Sequence, residues 1–333
     1  MTVLLRELVS SAFALTVALL LSTFIVLLAG ANPIVAFAAL GDGAFGSLQG
    51  LSETGVKACP LLIAGLSVAM AFRAGIWNIG AEGQLLLGAV VMAWLGAYPW
   101  VTGWVGLPVA LAGAAIAGGL WALIAGVLKV TRNVNEVIST IMLNFIAVGL
   151  VSYLVHGPLM ESAGRYPQSE AIVDAMRLAR IVPALRLHAG VPFAIVIAAL
   201  CNVLLFRTVI GYQLQAVGGN AEAARLAGIR PERCILLTLM ISGALAGLGG
   251  AIEVSGTTYR LYERFSPGYG FTAIAVALLG RLHPLGVIFA ALLFGALDAG
   301  SNSMQRVAGV SSVLVDVMQA VVILCLVAGE RRA

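Results

Sequence analysis

Residues 103–128 read GWVGLPVALAGAAIAGGLWALIAGVL, a continuous apolar run without a charged side chain. A helix needs about 20 such residues to cross about 30 Å of hydrocarbon, so this run is long enough to span a membrane. The whole chain shares this character, since 61% of its residues are hydrophobic, 10% are charged and the mean hydropathy is +1.03. A soluble domain of this size needs a larger polar surface. The composition therefore predicts an integral membrane protein.

The apolar runs are continuous rather than alternating, which favours spanning helices over a β-barrel. Many of the 39 glycines lie inside these runs, where small residues let helices approach closely. We therefore predict an all-α, polytopic bundle forming one transmembrane domain over residues 1–333. About ten spans are predicted, at residues 8–30, 56–72, 84–98, 103–128, 136–155, 190–206, 233–254, 270–280, 284–300 and 311–328.

Two of these runs have an alternative to a simple spanning helix. The run at 270–280 is too short for a full crossing and is followed by RLHPLG at 281–286, so it and the run at 284–300 are expected to form a broken or re-entrant pair. The run at 8–30 is longer than the apolar part of a secretory signal peptide, which favours a retained helix over a cleaved leader.

Basic residues indicate the orientation, because they concentrate in short loops on the cytoplasmic side. With both termini inside, eleven of the 19 Lys and Arg residues are cytoplasmic. The polar segment 156–190 is then extracytoplasmic, with a short surface helix expected near 172–179. The polar segment 207–233 is then cytoplasmic.

Several kinds of chemistry are excluded by the residues. A Walker A loop ends in Lys followed by Ser or Thr, whereas Lys57 and Lys129, the two lysines, precede Ala58 and Val130. If ATP drives this protein, another chain must bind it, and no cofactor is expected here. The three histidines are far apart and the four cysteines are scattered singly, so no metal site is predicted.

The stretch RAGIWNIGAEGQ, residues 73–84, places polar side chains between two apolar runs. A carboxylate near the bilayer centre costs about 2.5–3.5 kcal/mol on insertion scales, which suggests burial against protein or water. The glycines would allow the helix to open and line a transport path. The alternative is a plain cytoplasmic turn. Candidate path residues here are Trp77, Asn78 and Glu82.

A second polar group opens the run at 136–155. Glu136, Thr140 and Asn144 are spaced at i, i+4 and i+8, so they form a stripe on one helix face that should point into the bundle. Neutral amides and hydroxyls suit an uncharged, polyhydroxylated solute. Interhelical hydrogen bonding is the alternative function of this stripe.

The third stretch is GYQLQAVGGNAEAARLAGI, residues 211–229. Residues 220–227 predict a short helix, with Asn220 as N-cap and Gly228 at its C-terminal stop. Such a helix could dock a partner on the cytoplasmic face, or it could be an ordinary amphipathic connector. Candidate docking residues are Gly218, Gly219, Asn220, Glu222, Ala223, Arg225, Leu226 and Gly228.

Four motifs together resemble the permease subunits of bacterial ABC importers of the branched-chain amino acid and simple-sugar type, most closely the nucleoside-uptake branch. They are FRAGIWNIGAEGQLLLGA from Phe72, NEVISTIMLNFIA from Asn135, GGNAEAARLAGI from Gly218 and GYGFTAIAVALLGRLHPLG from Gly268.

This resemblance implies an ABC type II importer-like permease in the bacterial cytoplasmic membrane. The implied partners are two ATPase subunits or one double-length ATPase, a second and different permease, an extracytoplasmic solute-binding lipoprotein and membrane lipid, with no nucleic acid. The loop at 218–229 resembles the coupling helix that sits in a groove of the ATPase. A transport subunit rather than an enzyme is expected.

An ion-gradient-driven secondary transporter is the main alternative. It needs a titratable site in the membrane, for which Glu82, Glu136, Asp298 and Asp316 are candidates. A channel or a membrane enzyme is less favoured, since the sequence contains neither a filter motif nor a catalytic constellation.

Overall fold

The computed structural model describes residues 16–97 and 105–330, which are mainly helical. Parts of the predicted spans, at residues 8–15, 98 and 103–104, lie outside the described residues. The α-helices are α1 (Thr16–Leu28), α2 (Pro33–Phe45), α3 (Leu48–Arg73), α4 (Ala81–Ala97), α5 (Gly106–Arg132), α6 (Glu136–His156), α7 (Gly190–Arg207), α8 (Val209–Gly219), α9 (Ala221–Leu226), α10 (Pro231–Glu253), α11 (Tyr269–Leu279), α12 (Pro284–Ala308) and α13 (Ser312–Glu330).

The expected number of spans is not confirmed. In the described residues, six helices are long and apolar enough to cross a membrane, or seven if the bent pair α1–α2 counts as one span. Helices α4 and α11 are apolar but shorter. Hydropathy alone could not separate helices long enough to cross a membrane from these shorter ones, because both kinds are strongly apolar. The all-helical prediction itself is confirmed.

Contacts divide the chain into two compact units. Among the described residues, one unit contains 16–58, 185–187 and 292–330. Its core includes Val26, Ala36, Met304 and Met318, and the ammonium of Lys57 lies 3.3 Å from the Asp298 carboxylate. Within this unit α1 and α2 meet at an angle of 113°. Asn32 marks the bend, since its side chain caps α2 by accepting from the amide N–H of Ile34.

The larger unit contains residues 59–184 and 188–291 and is built around α4, α5 and α10. Glycines set the spacing of these helices. A Cβ atom added to Gly88 of α4 would lie 2.0 Å from the carbonyl oxygen of Gly247 in α10, and one added to Gly118 of α5 would lie 2.3 Å from that of Gly243. Backbone thus meets backbone, as expected for helices packed through small residues.

The predicted break near 281–286 is present. Helix α11 stops at Leu279, Arg281 and Leu282 adopt positive φ angles of 53°, and Pro284 begins α12. Proline suits the first position of a helix because it has no amide N–H to leave unpaired. The chain therefore turns tightly between the two helices rather than continuing as one span.

The segment between α6 and α7 is mostly irregular. The surface helix expected at 172–179 is reduced to one 3-10 turn, Asp174–Met176. Backbone bonds instead tie this segment to the chain that follows α10: the amide of Ser169 donates to the carbonyl of Leu261 and that of Ile172 to Tyr259. These non-local bonds satisfy the backbone that the predicted helix would have paired internally, and they hold residues 259–263 in place.

Candidate functional site

The chain between α3 and α4, residues 74–80, leaves the helix and passes through the core of the larger unit. Asn78 is fully buried in a polar network. Its amide nitrogen donates to Gln84 at 2.9 Å and to the hydroxyl of Ser242 at 2.8 Å, and its amide oxygen accepts from the backbone N–H of Gly80 at 2.9 Å. With these partners, the buried amide stabilises the irregular backbone and leaves none of its own polar atoms without a hydrogen bond. Trp77 points outward and is exposed.

Asn144 fastens α6 to this opening. Its side-chain oxygen accepts from the backbone N–H of Gly83 and its nitrogen donates to the carbonyl of Ile79, both at 2.8 Å. The expected burial of the stripe is confirmed, since Glu136, Thr140 and Asn144 are all buried. The bonds of Asn144 favour interhelical connection, one of its two predicted functions.

The other two members of the stripe also have protein partners. The carboxylate of Glu136 forms an ion pair with Lys129 at 2.6 Å, and the hydroxyl of Thr140 donates to the carbonyl of Glu136 at 2.6 Å. The first of these joins α6 to the end of α5. Glu136 and Thr140 are therefore both bonded to groups of the protein itself.

Glu82 lies where the first turns of two helices meet. It belongs to the first turn of α4, and one of its oxygens accepts from the backbone N–H of Gly270, in the first turn of α11, at 2.6 Å. The Ser266 hydroxyl also hydrogen-bonds this carboxylate. Helix N-termini carry partial positive charge, so both helices favour a carboxylate at this point. A Cβ atom at Gly270 would lie 2.2 Å from the Glu82 nitrogen, so only glycine permits the approach.

Glu82 also lines a cavity of about 620 Å³, called here the Glu82 cavity. Its walls come from α4, α6 and the loop before α11. The lining residues are Glu82, Leu86, Val148, Gly149, Val151, Ser152, Glu263, Arg264, Phe265, Ser266 and Pro267. Of the predicted path residues, Glu82 alone is among them.

Sequence reasoning missed the rest of this cavity, although part of the signal was present. Val148 and Ser152 continue the i, i+4 series of Asn144, so the stripe on α6 leads into the cavity. Residues 263–267 follow α10 and could not be placed beside α6 from a pattern within either helix. The structure brings them together through the 156–190 segment, where the Arg260 guanidinium pairs with Glu161 at 2.6 Å.

The α8–α9 segment forms a second candidate surface, separate from the cavity. The predicted short helix is confirmed: the Asn220 side chain accepts from the backbone N–H groups of Glu222 and Ala223, both at 3.0 Å, and Gly228 follows with φ of 83°. Ala224 packs inward. The remaining side chains of α9 point outward, and Leu226 is 91% exposed.

The same segment packs closely against the end of α3. A Cβ atom at Gly218 would lie 2.3 Å from the carbonyl oxygen of Arg73, so the two backbones touch, whereas one at Gly219 would meet open space. The Arg73 guanidinium donates to Gln215 of α8 at 3.2 Å and to the carbonyl of Leu282 at 2.9 Å. Arg73 thus joins the α8–α9 segment to the break between α11 and α12.

Among the described residues, no group of three or more His, Cys, Asp or Glu side chains could hold a metal ion. Arg225 forms an ion pair with Glu232, which is on α10. The chemistry that these two surfaces offer is hydrogen bonding, charge pairing and apolar contact.

Comparisons with known proteins identify the relatives of this chain. The family described as the permease component of branched-chain amino acid transport systems matches residues 50–327. The chain is 38% identical to a glucose ABC transporter permease of Haloferax volcanii, over 90% of this chain and 81% of the relative. It is also 38% identical to the guanosine ABC transporter permease NupP of Bacillus subtilis, over 93% and 90%. A second guanosine permease of Bacillus subtilis, NupQ, is 27% identical over 72% and 77%. No solved structure matches significantly.

Proposed function

Because the chain belongs to the family of permease components of branched-chain amino acid transport systems, we propose that it imports nucleosides or a related sugar-containing solute, powered by separate ATPase subunits. The match over residues 50–327 carries this proposal. It makes the chain a multi-pass membrane transport subunit rather than an enzyme. ABC permeases named for guanosine and glucose among its relatives support the solute class.

Helix α9 is the proposed contact with the ATPase. A leucine that is 91% exposed at the end of a capped helix is costly in water and becomes favourable when a partner covers it. Around it, the backbone at Gly218 is held tightly against α3 while Gly219, Glu222, Ala223 and Arg225 remain accessible. A firmly supported helix with an exposed tip can transmit force to the bundle.

Arg73 is proposed to transmit this force from the α8–α9 segment to the helices of the bundle. It contacts α8 on one side and the break between α11 and α12 on the other, and α11 runs from this break to Glu82 at the cavity. Approach of two ATPase subunits would draw the α9 helices together and shift α11, which opens the path to one side. Release of hydrolysis products would reverse the shift, giving alternating access.

Within the path, Glu82 is the proposed solute contact, because it faces the cavity. Asn78, Glu136, Thr140 and Asn144 would act as the polar supports that keep the backbone open and the helices in register. Trp77 contacts Phe72, with ring centroids 4.7 Å apart and ring planes tilted by 49°, and is proposed to cover the exposed side of the irregular segment 74–80.

The proposed assembly contains a second permease, an ATPase pair or double-length ATPase, and an extracytoplasmic solute-binding lipoprotein. Two distinct guanosine permeases in one organism, NupP and NupQ, support a core made of two different chains. Both termini and α9 are proposed to face the cytoplasm, with residues 156–190 facing outward. The whole chain is proposed to act as a single transmembrane domain.

Uptake by proteoliposomes tests the proposal directly. Vesicles containing this chain, its companion permease, the ATPase and the binding protein should accumulate adenosine only with ATP. Uptake by this chain alone under a proton or sodium gradient would instead establish a secondary transporter. Glu136 and Asp298, two candidates for ion coupling, are already paired with Lys129 and Lys57, which disfavours that outcome.

A double change, Glu222→Lys with Arg225→Glu, tests the docking surface. It should uncouple ATP hydrolysis from uptake while membrane insertion remains normal. Since Arg225 pairs with Glu232, Glu232→Gln removes that ion pair alone and provides the control. Unchanged uptake in the double variant would refute docking at α9.

A further inference from the structure

We propose that the Glu82 cavity is a transit site for an intact nucleoside, with the ribose held by carboxylates and the base against an apolar wall. This inference rests on the proposed transport function and adds where the solute sits and which part of it each wall contacts.

The cavity has the size and the two-sided character that a nucleoside requires. Its volume of about 620 Å³ lies within the range of roughly 300–1,000 Å³ typical of small-molecule sites. Leu86, Val148, Val151 and Phe265 supply apolar surface. A flat base gains contact with such a wall over its whole face, more than the puckered ring of a hexose, in which hydroxyl groups surround the C–H faces.

The polar part of the lining contains two carboxylates, Glu82 and Glu263, beside the hydroxyls of Ser152 and Ser266 and the guanidinium of Arg264. A carboxylate can accept about four hydrogen bonds, and Glu82 uses two of them for Gly270 and Ser266. The Glu263 carboxylate accepts from the Ser152 hydroxyl at 3.1 Å and is otherwise exposed. Each carboxylate therefore retains capacity for sugar hydroxyls, which are donors. The two adjacent hydroxyls of a ribose match the two oxygens of one carboxylate.

Helix lengths place the cavity deep in the membrane. Helix α11 has 11 residues and spans about 16 Å, roughly half of a 30 Å hydrocarbon layer. Its C-terminal end is tied through Leu282 to Arg73, at the proposed cytoplasmic edge. Its N-terminus, where the N–H of Gly270 donates to Glu82, then lies near the middle of the hydrocarbon layer. Discontinuous helices whose ends meet at the middle of the bilayer are where transporters place their solute sites.

The loop that closes the cavity is positioned by the extracytoplasmic segment. Glu263 donates its backbone N–H to the carbonyl of Pro167, and Arg264, beside it, has a positive φ of 56° and an exposed side chain. Weak, solvent-accessible contacts at this rim suit a site that a solute must leave. The rim therefore belongs to the side from which a binding protein would deliver the nucleoside.

A thiol-protection experiment measures occupancy without depending on ATP. Ser152→Cys places a reactive thiol in the wall of the cavity, and Cys325→Ala in the same protein removes the one endogenous described cysteine that is not buried. In the full complex, adenosine at roughly ten times its Kd should slow alkylation about tenfold, because labelling then requires the empty site. Glucose at the same concentration should not slow it. Glu82→Gln should weaken the adenosine protection.

A steric variant tests the same site through uptake. A side chain at Gly149 of α6 would enter open space in the cavity, since a Cβ atom there has no neighbour within 4 Å. Gly149→Trp should abolish adenosine uptake while the complex with the ATPase still assembles. Gly41, on α2, is equally open and outside the cavity, so Gly41→Trp is the matched control.

The outcomes separate the inference from the function on which it rests. Normal uptake by Gly149→Trp, or alkylation that adenosine does not slow while the complex transports it, overturns the site but leaves the transporter. Protection by glucose and not by adenosine overturns the nucleoside assignment. Protection by adenosine without any ATP-dependent uptake by the wild-type complex supports the site and overturns the proposed function.

Discussion

Leu226→Ala is expected to weaken binding of the ATPase to this permease about 50-fold. Leu226 is 91% exposed in the isolated chain, so a partner that covers it can gain nearly its full burial energy. The substitution removes three carbon atoms, worth about 0.8 kcal/mol each, or about 2.4 kcal/mol in total. Since 1.4 kcal/mol changes an equilibrium tenfold, the loss is about 50-fold in affinity.

The free permease should be unaffected by this change. Leu226 is the last residue of α9, the Asn220 cap is unchanged, and alanine is an equally good helix former. Affinity can be measured by titrating the purified ATPase onto permease in lipid nanodiscs and following association by surface plasmon resonance. Leu200→Ala, at a 62% exposed position on α7, is the control, because this spanning helix should face lipid. An affinity for Leu226→Ala within twofold of the wild type would refute the reasoning.

Three further perturbations probe the bundle and its internal connections. Gly88→Ala should lower the melting temperature in detergent, because overpacking costs about 1–3 kcal/mol. This cost exceeds the gain of about 0.5–1 kcal/mol from replacing a helical glycine. Gly41 has open space around it, so Gly41→Ala should raise the melting temperature. Asn144→Leu should reduce stability in the same assay by about 1–3 kcal/mol for each of the two backbone groups it leaves unpaired, and full retention of stability would show that water replaces the amide. Arg73→Met should leave ATP hydrolysis intact but reduce uptake, measured side by side in proteoliposomes, because the bonds to Gln215 and the α11–α12 break are lost; equal retention of both activities would exclude Arg73 from coupling.

Local signals in the sequence were sufficient for several elements. The α9 helix was predictable because its cap and its stop lie within it, at Asn220 and Gly228. The break at 281–286 was predictable because glycine and Pro284 punctuate it. The burial of Glu136, Thr140 and Asn144 followed from their spacing on one face of a membrane helix.

Other features depended on contacts between distant residues. Helix α8 was not predicted, although Thr208 caps its start by accepting from the N–H of Gly211; the Gln215 amide, further along the helix, donates to the carbonyl of Leu205 on α7 and holds the two helices together. The Glu82 cavity required Ser152 and Glu263 to meet, and they are 111 positions apart. Neither periodicity nor local composition contains such information.

The stripe on α6 shows the same limit at the level of single residues. Its spacing placed the side chains inward but could not distinguish groups that hold helices together from groups that face a solute. The structure gives Asn144 two backbone partners, whereas Ser152, on the same face, lies at the cavity.

Helix α3 imposes an order on the biogenesis of this protein. Of its most apolar stretch, 89% is buried inside the molecule. In the folded protein this helix is therefore covered by other parts of the chain rather than by lipid. When α3 leaves the ribosome, however, helices α4 to α12 have not yet been synthesised. Lipid or the insertion machinery must therefore cover α3 until they are. A nascent chain interrupted before α10 would leave Ser67 without Ser242 of that helix and Lys57 without Asp298 of α12, so both polar side chains would lack the partners that they have in the complete protein.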